Sequence, residues 1–181
     1  MFTLQAEPRS RSVKPRCLRR KGMIPGCVYG GGIDQSMSIQ VDKNEVKRLL
    51  KSKGKGSRVQ LLFGNEKVTA LFREITRGSA GGEIEHLSFQ KLNGQELVSS
   101  TAQVTLINTD KIPTYIQQTV FEIPYRASAL NLIEKIEIDM GNMRAGDILK
   151  VKDLEIAKND DIELLIDPDS LVLTIMENKR V

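Results

Sequence analysis

The chain has 181 residues and a mass of 20.2 kDa, and its 40% hydrophobic and 28% charged residues fit a folded globular protein and exclude a collagenous or disordered one. No apolar run approaches the ~18 residues that a membrane-spanning helix needs, and the opening residues lack the basic-then-apolar order of a signal peptide, so a cytoplasmic protein with no membrane partner is expected. The net charge of +4 is unevenly divided: residues 1–93 carry 18 Lys plus Arg against 8 Asp plus Glu, a balance of +10, whereas residues 94–181 carry 9 against 15, a balance of −6.

Phe2, Leu4 and Ala6 alternate with Thr3, Gln5 and Glu7, the period of a half-buried strand, which Pro8 ends. Residues 15–21 predict a short helix, with Pro15 in its first turn and Gly22 just beyond its end. Apolar residues are few there, so Leu18 must dock while the arginines face outward. Pro25-Gly26 reads as a turn, Cys27 to Tyr29 as a short strand and Gly30-Gly31-Gly32 as a loop. Met37, Ile39 and Val41 alternate as another strand. Asp42 is placed to cap a helix from Lys43 to about Lys51, with Val46, Leu49 and Leu50 as its buried stripe.

The stretch Lys51-Ser52-Lys53-Gly54-Lys55-Gly56-Ser57 has the wrong residue order for a Walker phosphate loop. Strands are expected at 58–63 and 67–75, joined at Gly64-Asn65, and at 83–92 after a glycine-rich loop at 78–82. The first half therefore reads as a small barrel with a helix or two. A domain cut is expected at Asn93-Gly94-Gln95, giving domains 1–93 and 94–181. Further strands are expected at 97–107, 117–123, 135–139, 149–151 and 170–176.

His86 is the lone histidine, and Cys17 and Cys27 fit neither a disulfide scaffold nor a zinc knuckle. The acidic runs Asp160-Asp161-Ile162-Glu163 and Asp167-Pro168-Asp169 lack the spacing of an EF-hand and read as solvated surface acids. No nucleophile elbow, dinucleotide fingerprint or His-Glu-x-x-His is present, so no catalytic residue, metal or cofactor is expected. The positive half instead holds two cationic clusters. One comprises Arg9, Arg11, Lys14, Arg16, Arg19, Arg20 and Lys21; the other comprises Lys43, Lys47, Arg48, Lys51, Lys53, Lys55 and Arg58. Either alone fits a solvated face as well as a nucleic-acid face. Two in one half favour a polyanion, because neutralised phosphates release condensed counterions and arginine grips phosphate oxygens in pairs.

The block Arg16-Cys17-Leu18-Arg19-Arg20-Lys21-Gly22-Met23-Ile24-Pro25-Gly26-Cys27-Val28-Tyr29-Gly30 resembles the signature of the bacterial ribosomal protein L-twenty-five/CTC family, the general stress type. The resemblance continues through Val41-Asp42, Arg73-Glu74-Ile75 and His86 with Phe89. It extends into the acidic half at Glu122-Ile123-Pro124, Ile136-Glu137-Ile138-Asp139, Ala145-Gly146-Asp147-Ile148 and Val151-Lys152-Asp153-Leu154. It implies a mainly β protein of two domains: an N-terminal six-stranded β-barrel with short helices that binds 5S rRNA, and a C-terminal mostly β domain. The implied partners are 5S rRNA within the large ribosomal subunit and ribosomal protein neighbours of the second domain. The implied RNA-facing residues are Arg9, Arg16, Arg19, Arg20, Tyr29, Arg77 and His86, with Ser88 where the family has Asp.

Other departures are Pro15 for Ala, Cys17 for Arg, Thr76 for Gln, Ser79 for Pro and Asn108-Thr109-Asp110 for a glycine pair. Losing a carboxylate that reads a base could remove about 1–3 kcal/mol of discrimination. The alternative expectation is a stress-associated paralogue that has lost specific 5S rRNA recognition and engages a protein or another RNA.

Overall fold

The computed structural model describes residues 2–10, 12–79, 82–94, 96–112 and 114–176. Arg11 of the first cationic cluster, Ala80 and Gly81 of the glycine-rich loop, and Gln95 at the expected cut lie outside the described residues. The chain divides into two units, Met1–Glu96 and Leu97–Val181.

In the first unit the order is β1 (Phe2–Pro8), α1 (Pro15–Arg20), β2 (Met23–Tyr29), β3 (Met37–Asp42), α2 (Lys43–Ser52), β4 (Arg58–Phe63), β5 (Glu66–Arg77) and β6 (Ile84–Lys91). The six strands close a barrel in the order β1-β3-β2-β6-β5-β4. Closure comes from β1 running parallel to β4, Phe2 opposite Val59, and β2 and β6 form the other parallel pair. Closing the sheet removes its edges, so every strand has two neighbours and the wall is stiff. Inward residues alternate along each strand: Leu4, Ile24, Val28, Ile39, Val41, Val59, Leu61, Phe72, Leu87 and Phe89 are buried. The Phe72 and Phe89 rings pack tilted, with centroids 5.6 Å apart.

Both helices obey their local signals. Pro15 opens α1, Leu18 is its buried residue, and Gly22 follows at φ +79°, the left-handed conformation that glycine tolerates. The Asp42 carboxylate caps α2 by accepting from Asn44 N at 2.8 Å and Glu45 N at 3.2 Å, and Val46 and Leu49 are buried below it. The two helices are tied where Lys43 N donates to Gly22 O at 2.8 Å.

Pro25 and Gly26 do not form the expected turn; they lie inside β2. The pairing of β2 with β6 begins at Gly26 opposite Leu87, so Pro25 precedes that ladder and no β6 bond is forfeited by its missing N–H. Gly26 lets the strands approach closely, since a methyl placed there would lie 2.8 Å from Leu87 O. In the β5–β6 ladder Phe72 faces Phe89 but Glu74 faces Ser88, and Thr76 faces His86 but Arg77 faces Ile84. Arg73 and Glu85 are thus the extra residues of two bulges, and the first re-phases β5 so that Glu74 and Thr76 share the outer face with Ser88 and His86, which alternate there with buried Leu87 and Phe89.

The second unit holds β7 (Leu97–Ile107), β8 (Ile116–Gln118), β9 (Glu122–Ser128), β10 (Lys135–Asp139), β11 (Ile148–Lys150), β12 (Ile162–Leu164) and β13 (Leu171–Ile175). A four-stranded sheet has the order β10-β7-β9-β12 and a three-stranded one β11-β13-β8. The single strand expected at 117–123 is two, because Thr119 N and Val120 N turn to Val172 O while Phe121 O accepts from Val104 N. Residues 149–151 are not one strand, because Val151 starts a 3₁₀ turn. The β12 strand arises within a run read as surface acids, where Ile162 faces Ala127 across the ladder and Glu163 faces Arg126. Tyr125 is fully buried, its hydroxyl donating to Ile133 O and accepting from Ile133 N, both at 2.7 Å.

Candidate nucleic-acid interface

Strand register assembles an outer row across four strands of the barrel. Ser38 of β3 lies opposite Cys27 of β2, Cys27 opposite Ser88 of β6, and Ser88 opposite Glu74 of β5. One step along the β5–β6 pair, His86 lies opposite Thr76. Their neighbours along the strands, Gly26, Val28, Leu87 and Phe89, are buried, whereas Ser38, Cys27, His86 and Ser88 are half-buried and Glu74 is exposed. Tyr29, two residues beyond Cys27 and so on the same face, is 36% exposed.

Arg9 joins this wall where β1 ends, its backbone N donating to Ser38 O at 2.9 Å. The guanidinium donates to Val13 O at 2.8 Å, leaving Nε buried with no partner among the described residues. Burial first, and Arg9 second, push the His86 imidazole below its ordinary pKa, with Glu74 pulling the other way. The imidazole is therefore neutral near pH 7, able to donate one hydrogen bond and accept one, but not to act as a phosphate counter-charge. Burial and then Glu74 push the Cys27 thiol up, so Cys27 stays protonated rather than becoming a nucleophile.

Charge sits beside this wall. Arg16, Arg19 and Arg20 of α1 line a depression with Glu83. Arg19 Nη2 lies 3.9 Å from Glu85 Oε1, which places the helix against the β6 bulge next to His86. The ion pair is partly exposed and weak, so the arginine remains available. Arg16 and Arg20 are exposed and have no ion-pair partner among the described residues. Arg77 is exposed on the other side of Glu83, its Nη1 donating to Gly82 O at 3.1 Å.

The sequence-predicted residues thus fall into two adjoining groups. Arg9, Tyr29, His86 and Ser88 share the barrel wall; Arg16, Arg19, Arg20 and Arg77 flank Glu83. Sequence reasoning passed over Glu74, Cys27 and Ser38 as members of the wall, because their meeting depends on strand register and on the Arg73 bulge, neither of which leaves a local signal. Among the described residues no group of three or more His, Cys, Asp or Glu side chains could hold a metal, and no helix is long and apolar enough to cross a membrane.

Comparison with known proteins gives this arrangement its class. A family model described as the Ribosomal L25p family matches residues 4–89, which is the barrel, and one described as Ribosomal protein TL5, C-terminal domain, matches residues 98–179. Both halves of the chain are therefore ribosomal-protein domains, and the class is non-enzymatic. A protein named large ribosomal subunit protein bL25 from Lachnoclostridium phytofermentans is 29% identical over 183 residues, 98% of this chain and 93% of that one. Proteins of the same name from a Thermoanaerobacter species and a Geobacillus species are 26% and 29% identical over 164 residues, 89% of this chain in each case and 81% and 77% of theirs. The chain belongs to the ribosomal L25 family.

Proposed function

We propose that the protein is a component of the large ribosomal subunit that holds 5S rRNA through its first unit, without catalysis and without a cofactor, in the cytoplasm. The observation that carries this is the adjacency of two surfaces with different chemistry: a stiff wall whose outer row is hydroxyl, thiol and imidazole groups with the single carboxylate Glu74 and, beside it, three arginines of α1. Arginines grip phosphates and fix orientation, whereas a wall of hydroxyl, imidazole and thiol groups matches the 2′-hydroxyls and base edges of the shallow minor groove of an RNA helix. Tyr29 adds a hydroxyl and a stacking face at the wall's end. Domain boundaries near residue 94 and ribosomal protein neighbours for the second unit belong to the same proposal.

The test is binding of the full chain to 5S rRNA and to an unrelated RNA hairpin at matched ionic strength. The expected result is preference for 5S rRNA, with affinity falling steeply as salt rises. Changing Arg19→Ala with Arg20→Ala should weaken binding and flatten the salt dependence by about 0.9 in slope for each phosphate no longer neutralised. Equal affinity for the hairpin would refute the reading.

A further inference from the structure

The second cationic cluster of the sequence has no part in the interface described above, and the structure gives it a shape. Lys43, Lys47, Arg48, Leu50 and Lys51 of α2 line a cleft of about 590 Å³ whose opposite side is Arg77, Gly82, Glu83 and Ile84. Lys43, Lys47 and Lys51 recur every four residues, so one helical turn, roughly 6 Å of axial rise, separates each ammonium from the next. Lys47 and Lys51 are exposed and have no ion-pair partner among the described residues. Arg48 is engaged by Glu45 at 3.3 Å and Lys43 by Glu83 at 3.3 Å.

Glu83 lines both this cleft and the α1 depression, so Arg16, Arg19 and Arg20 meet Arg77 and the α2 lysines at this residue. Cations therefore lie on both sides of this one carboxylate. The two apolar residues of the cleft are already committed to the barrel, Ile84 being buried and Leu50 half-buried against its core, so the apolar surface left is largely that of the cationic side chains' own stems. A protein segment would need an apolar socket there; a phosphodiester backbone needs evenly spaced cations and no socket.

We propose that α2 is a second phosphate track, on which Lys47, Lys51 and Arg77 hold a further stretch of the backbone of the same RNA that α1 and the barrel wall engage. This rests on the RNA-binding function proposed above. An incoming phosphate competes with Glu83 for Lys43, so engagement of the track releases that ion pair and adds a third lysine.

The experiment compares the full-length wild type, the Lys47→Ala/Lys51→Ala variant and the Arg19→Ala/Arg20→Ala variant, each titrated with 5S rRNA between about 0.05 and 0.2 M salt. The complexes are also footprinted by hydroxyl radicals. Both lysines are exposed, so circular dichroism should show an unchanged fold. The α2 variant should bind roughly ten- to fiftyfold more weakly at about 0.1 M salt, lower the slope of log affinity against log salt by about 1.8, and lose a backbone protection that the α1 variant retains. An α2 variant with wild-type affinity, slope and footprint, alongside an α1 variant that loses affinity, would overturn the track and leave the α1 interface standing. A wild type that does not prefer 5S rRNA would remove both.

Discussion

Gly26 is the position where a single methyl group tests the barrel wall. An ideal Cβ there lies 2.8 Å from Leu87 O and 3.3 Å from Ile39 Cγ1, against the 3.4 Å at which ordinary van der Waals separation begins. In Gly26→Ala β6 must therefore yield by about 0.6 Å at Leu87 O, where the obstacle is backbone, while on the β3 side only the Ile39 side chain has to give, by about 0.1 Å. Overpacking of this kind costs about 1–3 kcal/mol. Weakening one ladder hydrogen bond adds about 0.5–1.5 kcal/mol, and the stiffer unfolded chain returns about 0.4–1 kcal/mol. The net centres near 2 kcal/mol of destabilisation, which for a unit of this size lowers the melting temperature by roughly 10–15 °C.

Gly64→Ala is the control. Gly64 sits at φ +60° with nothing within 4 Å of an added methyl, so only the left-handed backbone is penalised, by about 1–2 kcal/mol. Thermal unfolding of the full chain, with hydrogen exchange of β2 and β6 followed by mass spectrometry, separates the two. Gly26→Ala should speed exchange in β2 and β6 and weaken RNA binding, because Cys27 and Ser88 move apart with the strands. Gly64→Ala should leave those amides protected. Unchanged β2 and β6 exchange in Gly26→Ala, or a melting temperature equal to wild type, would show that the strands accommodate a methyl and that the close approach does not hold the wall.

Burial and Arg9 lower the His86 pKa below its ordinary 6.5, so the unfolded chain takes up this proton at higher pH than the folded one. Stability attributable to His86 is level above 6.5 and declines as pH falls through it toward the folded value; His86→Gln should remove that part of the acid sensitivity. Because His86 is the lone histidine, its ring protons can be followed by NMR without ambiguity: the midpoint should lie below 6.5 in the free protein and rise in an RNA complex. A free midpoint at or above the ordinary value would refute the burial argument. In the second unit, Tyr125→Phe removes both hydrogen bonds to Ile133 and leaves its N–H and C=O without the hydroxyl, at about 1–3 kcal/mol. Exchange protection should fall around β9 and Ile133 while the barrel amides keep theirs, and loss of protection in the barrel would contradict the division into two units.

The elements most legible in the sequence were those governed by neighbouring residues. Asp42 announces α2 because a carboxylate before a helical apolar stripe satisfies free backbone donors, and Pro15 and Gly22 bracket α1 for equally local reasons. Pro25-Gly26 misleads because a turn is the usual use of that pair, and only the late start of the β6 ladder makes it suitable inside a strand. The break between β8 and β9 was hidden for a similar reason, since Val172 lies some fifty residues away from the amides it captures. The arginines of the proposed interface were named from resemblance and charge, but their grouping about Glu83 is a property of the closed barrel and cannot be read from spacing.

Closure also bears on how the proposed interface would divide its work. The wall row, Ser38, Cys27, Ser88 and Glu74, contains no cation, and its histidine is neutral near pH 7; charge alone would not draw RNA to it. The cations lie at its margin, on the end of β1, on α1 and past Glu83 on α2, on side chains long enough to follow a backbone. Rim arginines and lysines can therefore supply affinity for almost any folded RNA, and only a wall whose donors are held by two strand neighbours each can reject the wrong one. It follows that substitutions at the rim should weaken correct and incorrect RNAs alike, whereas a change in the wall, such as Ser88→Asp, should alter the ratio between them. If Ser88→Asp instead shifted binding to 5S rRNA and to an unrelated hairpin by the same factor, the wall would be acting as one more charged surface and recognition would have to be sought elsewhere on the unit.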